Sequence, residues 1–466
     1  MGADSNLRVL DASVVRPSNL HLPPRSLPLT FFDVKWLRPP PVQRLYLYRL
    51  HHHHQDTTTQ LISDLKASLS KALTLFYPLA GHVRLTPGDP NSNRYELFYQ
   101  PGDGVAFTVA EYETDIEDLA HGDPVQVAKL APLVPTLPKG RAVLAVQATV
   151  LSGRQGLALG VTVHHTACDG ASSTHFMDTW AAACAGADMP PPPVIDRTLI
   201  ADPRGLYDIY CKGLPSDDEV EFVSSSVSSI PDDQLLATFT LPQELLHGIK
   251  HMLADEAAKQ GAPSAKCSSL LAAFSLMWSC YCRAKQEQNQ TKTTYFLFSV
   301  DHRARLKPPV PDRYLGNCLG PAIATARHDE IAATGKEGLF AAFMALSDAL
   351  QDEVGEGSQD RWDGCVERVK DAVKSGVLSV ADSPRFRVYN LDFGFGKPTK
   401  VDVVSVAKTS AISVEEARSH GGGIEVGLSL PTSSMENFQR CFADAMQELD
   451  GTKLEKMGTG VKLWPL

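Results

Sequence analysis

The chain has 466 residues, 43% of them hydrophobic, which is more than one small core can use, and two domains of ordinary size are expected. A formal net charge of -10 argues against a nucleic-acid surface as the main function and leaves room only for a local basic pocket, so the expected partner is a small molecule. The nine cysteines (168, 184, 211, 267, 280, 282, 318, 365 and 441) are odd in number, without a Cys-x-x-Cys pair or a matched His spacing for zinc, so a reduced cytoplasmic setting and no metal are expected. Met1 to Asn6 has no basic region backed by an apolar stretch, and Asn6 stands where a myristoylation signal needs Ser or Thr. The densest apolar run, Leu270 to Cys282, is too short for a bilayer and is interrupted by Ser275 and Ser279, so no membrane is expected.

In chain order, Leu61, Leu65, Leu69 and Leu73 stripe an amphipathic helix at about 61 to 75, ending before Phe76-Tyr77-Pro78-Leu79-Ala80-Gly81. His51 to His54 reads as a solvated loop. Strands follow at about 141 to 151 and 156 to 165, joined by a turn at Ser152 to Gly156. A helix comes next: Ser172 or Ser173 can cap it, Phe176 and Trp180 share a face, and Gly186 stops it. Pro190 to Pro193 and an acidic, Ser-rich stretch from Ser216 to Asp233 form a crossover linker. The expected division is therefore a first domain at 1–189, a linker at 190–233 and a second domain at 234–466.

The second half opens with a strand near 235 to 240 and a helix started by Pro242, striped by Leu245, Ile249, Leu253 and Ala257. A helix at about 266 to 285 precedes Tyr295 to Val300, apolar except for Ser299 and read as a strand buried on both faces. Leu339, Phe343, Leu346 and Leu350, then Met435, Phe438, Phe442 and Met446, mark two more core helices. Between them Arg387 to Asn390 reads as a short strand.

Two constellations carry chemistry. In Leu157 to His165 the large apolar residues take the odd positions, so His165 is expected on the buried face while His164 points away as a structural residue. An imidazole at a strand tip, released into the turn Asp169-Gly170, is placed to act as a general base shielded from bulk water. A His and an Asp four residues apart occur by chance in many chains of this size; the apolar strand upstream and the helix signature downstream raise the pair above that background. The second constellation is Asp392-Phe393-Gly394-Phe395-Gly396-Lys397-Pro398, where two glycines flanking an aromatic make a tight loop. Asp-Phe-Gly alone suggests a protein kinase, but there is no glycine-rich nucleotide loop or matching strand lysine, and Asp301-His302-Arg303 is not the kinase order.

With both motifs in order, the chain resembles the BAHD family of plant acyl-CoA-dependent acyltransferases, which carries His-x-x-x-Asp centrally and Asp-Phe-Gly-Trp-Gly near the end, here with Phe395 for the tryptophan. Leu27 to Asp33, Phe76 to Gly81, Asp301 to Leu306, Tyr314-Leu315-Gly316-Asn317-Cys318 and Gly423 to Gly427 are similar to family blocks. Tyr314 to Cys318 resembles the signature of the clade acylating anthocyanin and other phenolic glucosides, often with malonyl-CoA; Leu315 departs from it.

The resemblance implies an α/β fold of two chloramphenicol-acetyltransferase-like domains, each a mixed β-sheet with flanking helices, around a channel. It implies direct attack in a ternary complex with His165 as base, its other ring nitrogen held by a backbone group in preference to Asp169. Asp169 would support the loop through an arginine, Arg303 before Arg305. The Asp392–Gly396 loop (Phe393, Gly394, Phe395) would brace the coenzyme channel. Lys266 and Ser268 would meet coenzyme phosphate at a helix start, and Thr30 to Asp33, with Thr30 and Phe32, would wall the acceptor side. His302, Arg303 and Lys397 are candidates for a malonyl carboxylate. Phe395 cannot donate the hydrogen bond that a tryptophan could, so oxyanion donors must lie elsewhere.

The expected activity is acyl transfer, malonyl in the first instance, from acyl-CoA as co-substrate to a sugar hydroxyl of a flavonoid or anthocyanin glucoside, by a monomer with no permanently bound cofactor. A hydroxycinnamoyl donor or an amine acceptor such as a polyamine or agmatine is the rival enzyme reading. A non-catalytic binding protein of the same fold is the rival class. A Cys168 acyl-enzyme is the rival mechanism, weakened because nothing nearby in sequence lowers the thiol pKa.

Overall fold

The computed structural model describes residues 7–50, 55–87, 94–152, 155–212, 231–261, 267–285, 293–355, 357, 362–418 and 421–457. Lys266, the histidine run at 51–54 and the linker from 213 to 230 lie outside the described residues. Two mixed sheets dominate. A six-stranded sheet runs in the order Leu7–Val15, Val105–Tyr112, Leu144–Leu151, Gly156–Val163, Val42–Arg49 and Lys400–Val403. A seven-stranded sheet runs Leu319–Arg327, Thr293–Asp301, Leu378–Ala381, Ala411–Glu416, Ile424–Pro431, Gln234–Leu241 and Val125–Gln126. Each sheet thus borrows its terminal strand from the other half of the chain: Lys400–Val403 pairs antiparallel with Val42–Arg49, and Val125–Gln126 with Gln234–Leu241.

Helices cover each sheet. On the first, Leu65, Leu69 and Leu73 of the helix Gln55–Leu75 pack with Phe176, Met177 and Trp180 of the helix Gly170–Ala185 in one core. The buried Trp180 indole N–H finds acceptors in the Leu65 carbonyl and the Ser68 hydroxyl, both at 3.1 Å, as a fully buried donor must. On the second, the helices Gln243–Lys259, Ser269–Ala284, Gly335–Val354 and Thr432–Met457 carry the stripes read from the sequence into a separate core.

Three local expectations need correction. Thr293–Asp301 is buried on one face only: Phe296, Phe298 and Val300 are buried, whereas Ser299 and Asp301 are exposed and Tyr295 and Leu297 half-buried, because the core helices stand on a single side of this sheet. Arg387 to Asn390 is not a strand but the end of two successive 3-10 turns, 384–386 and 388–390. Arg387 between them is left-handed (φ 47°), and the Tyr389 N–H is taken by the Glu416 carboxylate, so the segment has no ladder to join. The helix after the histidine motif is capped neither by Ser172 nor by Ser173. Asp169 is its N-cap, accepting from the Ser172 N–H at 3.0 Å.

The histidine strand, Gly156–Val163, is central and buried along its whole length on both faces. Leu157, Leu159, Val161 and Val163 enter the helix-covered core, while Ala158, Gly160 and Thr162 lie against the segment around Leu133 to Pro135. The absence of a side chain at Gly160 is a packing requirement, since a Cβ there would stand 2.1 Å from the Leu133 carbonyl oxygen. Gly160→Ala should therefore destabilise the protein by ~1–3 kcal/mol through overpacking, read as a lowered urea midpoint with an unchanged slope.

Candidate active site

Because both faces of the strand are covered, alternation alone does not decide which histidine is the more enclosed. His164 is fully buried; its Nδ1 accepts from the Thr166 N–H at 3.3 Å, and burial pushes its pKa down to about 3. His165, one residue on, sits past the strand end and is half-buried. Its ring is stacked on Trp36, with centroids 3.7 Å apart and planes 15° apart.

The His165 ring partner is a side chain from the second half, not the backbone group expected. Nδ1 lies 3.0 Å from Asn317 Oδ1. The Asn317 amide is itself oriented: its NH₂ donates to Asp33 Oδ1 and to the His165 carbonyl, both at 2.9 Å, so the oxygen must face the ring. Nδ1 is then the donor and carries the proton, and the lone pair is on Nε2. Burial, joined by the positive charge of Lys35, holds the His165 pKa below its usual 6.5, against the opposing pull of Asp169 and Asn317. A neutral imidazole with a fixed tautomer and an available Nε2 can accept a proton from a substrate hydroxyl and return it to a leaving group.

Asp33 anchors Asn317. It is fully buried, at the third position of the short helix Phe31–Val34. Its Oδ2 accepts from the Thr30 N–H (2.8 Å) and hydroxyl (2.7 Å), and its Oδ1 from the Asn317 N–H (3.0 Å). Arg197, from the segment following the polyproline run, lies 3.3 Å from it. Gly316 must lack a side chain for this to hold, since a Cβ would stand 1.9 Å from Arg197 Nη1.

Asp169 turns away from the ring into a second buried cluster. Arg303 meets it in a two-point pair at 2.8 and 2.9 Å, and the Cys318 N–H donates to it at 3.1 Å. The same guanidinium donates to the Ser172 hydroxyl and to the carbonyls of Tyr314 and Gly316. Arg305 instead donates to the Asp301 carbonyl at 2.6 Å, at the surface. Cys168, between the motif residues, is buried, and burial pushes its thiol pKa far above the ordinary range, so it presents no thiolate.

The other residues expected at the site are dispersed. Thr30 and Phe32 are buried in packing, Phe32 beside Trp362 and the His302 ring; Lys35 and Trp36 are the half-buried side chains of that segment. In the Asp392–Gly396 loop Asp392 accepts from the N–H groups of Gly394 (2.7 Å) and Gly396 (3.0 Å), bracing its own turn. Phe393 packs edge-on against Trp180, Phe395 against Tyr48, and Gly394 (φ 97°) lets the loop close on Ala185. Lys397 donates to Asn390 at the surface. Ser268 caps the helix Ser269–Ala284 through the Leu271 N–H at 3.1 Å. Sequence reasoning assigns no chemical role to Asn317, Trp36 or Arg197 and gives Asp33 only a place in the acceptor wall. Asn317 and Asp33 lie inside blocks similar to the family's, but only the folded chain joins them to the ring.

The model of the Transferase family matches residues 6–445. Phenolic glucoside malonyltransferase 1 of Arabidopsis thaliana is 32% identical over 460 residues, covering 93% of this chain and 96% of its own. The malonyl-coenzyme A:anthocyanin 3-O-glucoside-6''-O-malonyltransferase of Dahlia pinnata is 30% identical, covering 95% and 98%. Among solved structures, vinorine synthase superposes with a TM-score of 0.67 at 20% identity, covering 92% of this chain and 96% of its own, so the two-domain fold is shared. The chain belongs to the BAHD acyltransferase family, and the protein is an acyl-CoA-dependent O-acyltransferase. No helix among the described residues is long and apolar enough to cross a membrane.

Asp169→Ala would leave the buried Arg303 charge without its two-point partner and uncap a helix. A loss of ~3–5 kcal/mol of stability is expected, seen as a lowered thermal or urea transition and not as a defect in turnover alone.

Proposed function

We propose that the protein moves a malonyl group from malonyl-CoA to a sugar hydroxyl of a phenolic glucoside, with His165 as the base. The carrying observation is the orientation of the His165 ring: Asn317 takes Nδ1–H, which leaves the Nε2 lone pair as the proton acceptor. In this reading the acceptor hydroxyl oxygen attacks the thioester carbonyl carbon as Nε2 removes its proton. The tetrahedral adduct then collapses, the carbon–sulfur bond breaks, and the imidazolium returns the proton to the departing CoA thiolate. The depressed His165 pKa favours this return, because a weakly basic imidazole gives its proton up readily. Asn317 and Asp33 are positioning residues, acting through the ring. Two malonyltransferases of glucosides at 30% identity or above support the choice of donor and acceptor.

Incubation of purified protein with pooled phenolic glucosides and either malonyl-CoA or coumaroyl-CoA tests the substrates: malonyl adducts are expected by mass, and coumaroyl adducts alone would overturn the donor. His165→Ala should lower kcat by at least about 10²-fold, the lower end of what a positioned base contributes. Activity of the parent should fall toward acid through a pKa below 6.5, because protonation consumes the base and its folded-state pKa is depressed. Asn317→Ala, which frees the ring tautomer, should lower kcat more than it raises KM and move that acid limb. Cys168→Ala should retain turnover, and the parent should show no burst of covalently acylated protein.

A further inference from the structure

A dicarboxylic acyl donor brings a carboxylate one methylene beyond its thioester carbonyl, and burying that charge beside the base requires a cation. The cations expected from the sequence are committed elsewhere. His302 is buried in a 2.8 Å bond to Glu353, Arg303 is held in a two-point pair with Asp169, and Lys397 is at the surface on Asn390. Lys35 is different. It follows directly on the helix that carries Asp33, and its ammonium donates to the Leu319 main-chain carbonyl. The ammonium also lies 5.3 Å from the Phe32 ring centroid and 5.9 Å from that of Trp36. Among the described residues no carboxylate comes within ion-pair distance of it. The nearby acids are already used: Asp33 by Thr30, Asn317 and Arg197, and Glu353 by His302 and the Trp362 indole N–H at 3.2 Å. The indole of Trp36, which the ammonium faces, is the ring on which His165 is stacked. A half-buried ammonium without an anion therefore stands over the same indole on which the proposed base is stacked.

We propose that Lys35 is the specificity residue that receives the free carboxylate of the malonyl donor. This rests on the malonyl reading above and supplies the contact it lacks.

The test is a donor comparison: kcat/KM for malonyl-CoA and for acetyl-CoA, on one phenolic glucoside, in the wild type, Lys35→Gln, Lys35→Met and Lys35→Arg. Gln can still donate to the Leu319 carbonyl and so removes only the charge; it serves if Met does not fold. The malonyl-to-acetyl ratio should fall about tenfold or more in the Gln and Met variants, the scale of one charge-assisted hydrogen bond, and be largely kept in Arg. A folded Lys35→Gln protein that keeps the wild-type ratio overturns the assignment while leaving the malonyl reading intact. A wild type with no preference for malonyl-CoA overturns the donor reading and this inference with it.

Discussion

A carboxylate withdrawn from water must be met by donors, and the first half of this chain buries two that share donors from both halves. From the second half, Asp33 receives the main-chain and side-chain N–H groups of Asn317, and Asp169 the Cys318 N–H and the Arg303 guanidinium. Residues 314–318 thus serve both acids at once. Breaking either cluster strands a buried charge, which costs more than the intact pair contributes. The seam is therefore fixed in register as well as in distance, and the His165 ring inherits its orientation from that register.

The chemistry asks for little beyond such fixation. Acyl transfer between an alcohol and a thioester needs one proton acceptor with a defined lone pair, and two buried polar clusters hold that acceptor in place. The ring is clamped along its edge by Asn317 and across its face by Trp36. The two contacts are of different kinds, one directional and one dispersive, and together they restrict both rotation of the imidazole and its tautomer.

The parts legible in the sequence are those written in local periodicity. The leucine stripe of Gln55–Leu75, the cores of the later helices and the histidine strand follow from spacing alone. What fails does so for tertiary reasons. The strand Thr293–Asp301 has the composition of a two-sided strand, yet helices reach only one side of it. Serines have the right position to cap the helix at 170–185, but Asp169 takes the role because its carboxylate both caps that helix and binds Arg303. Asn317 stands 152 residues from His165 and 284 from Asp33, and no local pattern couples side chains so far apart. Lys35 carries no local pattern that marks it; only the fold encloses it between Phe32, Trp36 and the Leu319 carbonyl.

The reciprocal borrowing of strands has a consequence for biosynthesis. The six-stranded sheet is not complete until Lys400–Val403 has emerged to pair with Val42–Arg49, near the opposite end of the polypeptide. An N-terminal portion leaving the ribosome therefore waits with the backbone edge of Val42–Arg49 unsatisfied, an invitation to pair with a neighbouring nascent chain. Contacts of such long sequence separation also make closure entropically slow. The partly made chain thus depends on this edge being shielded until its late partner strand arrives.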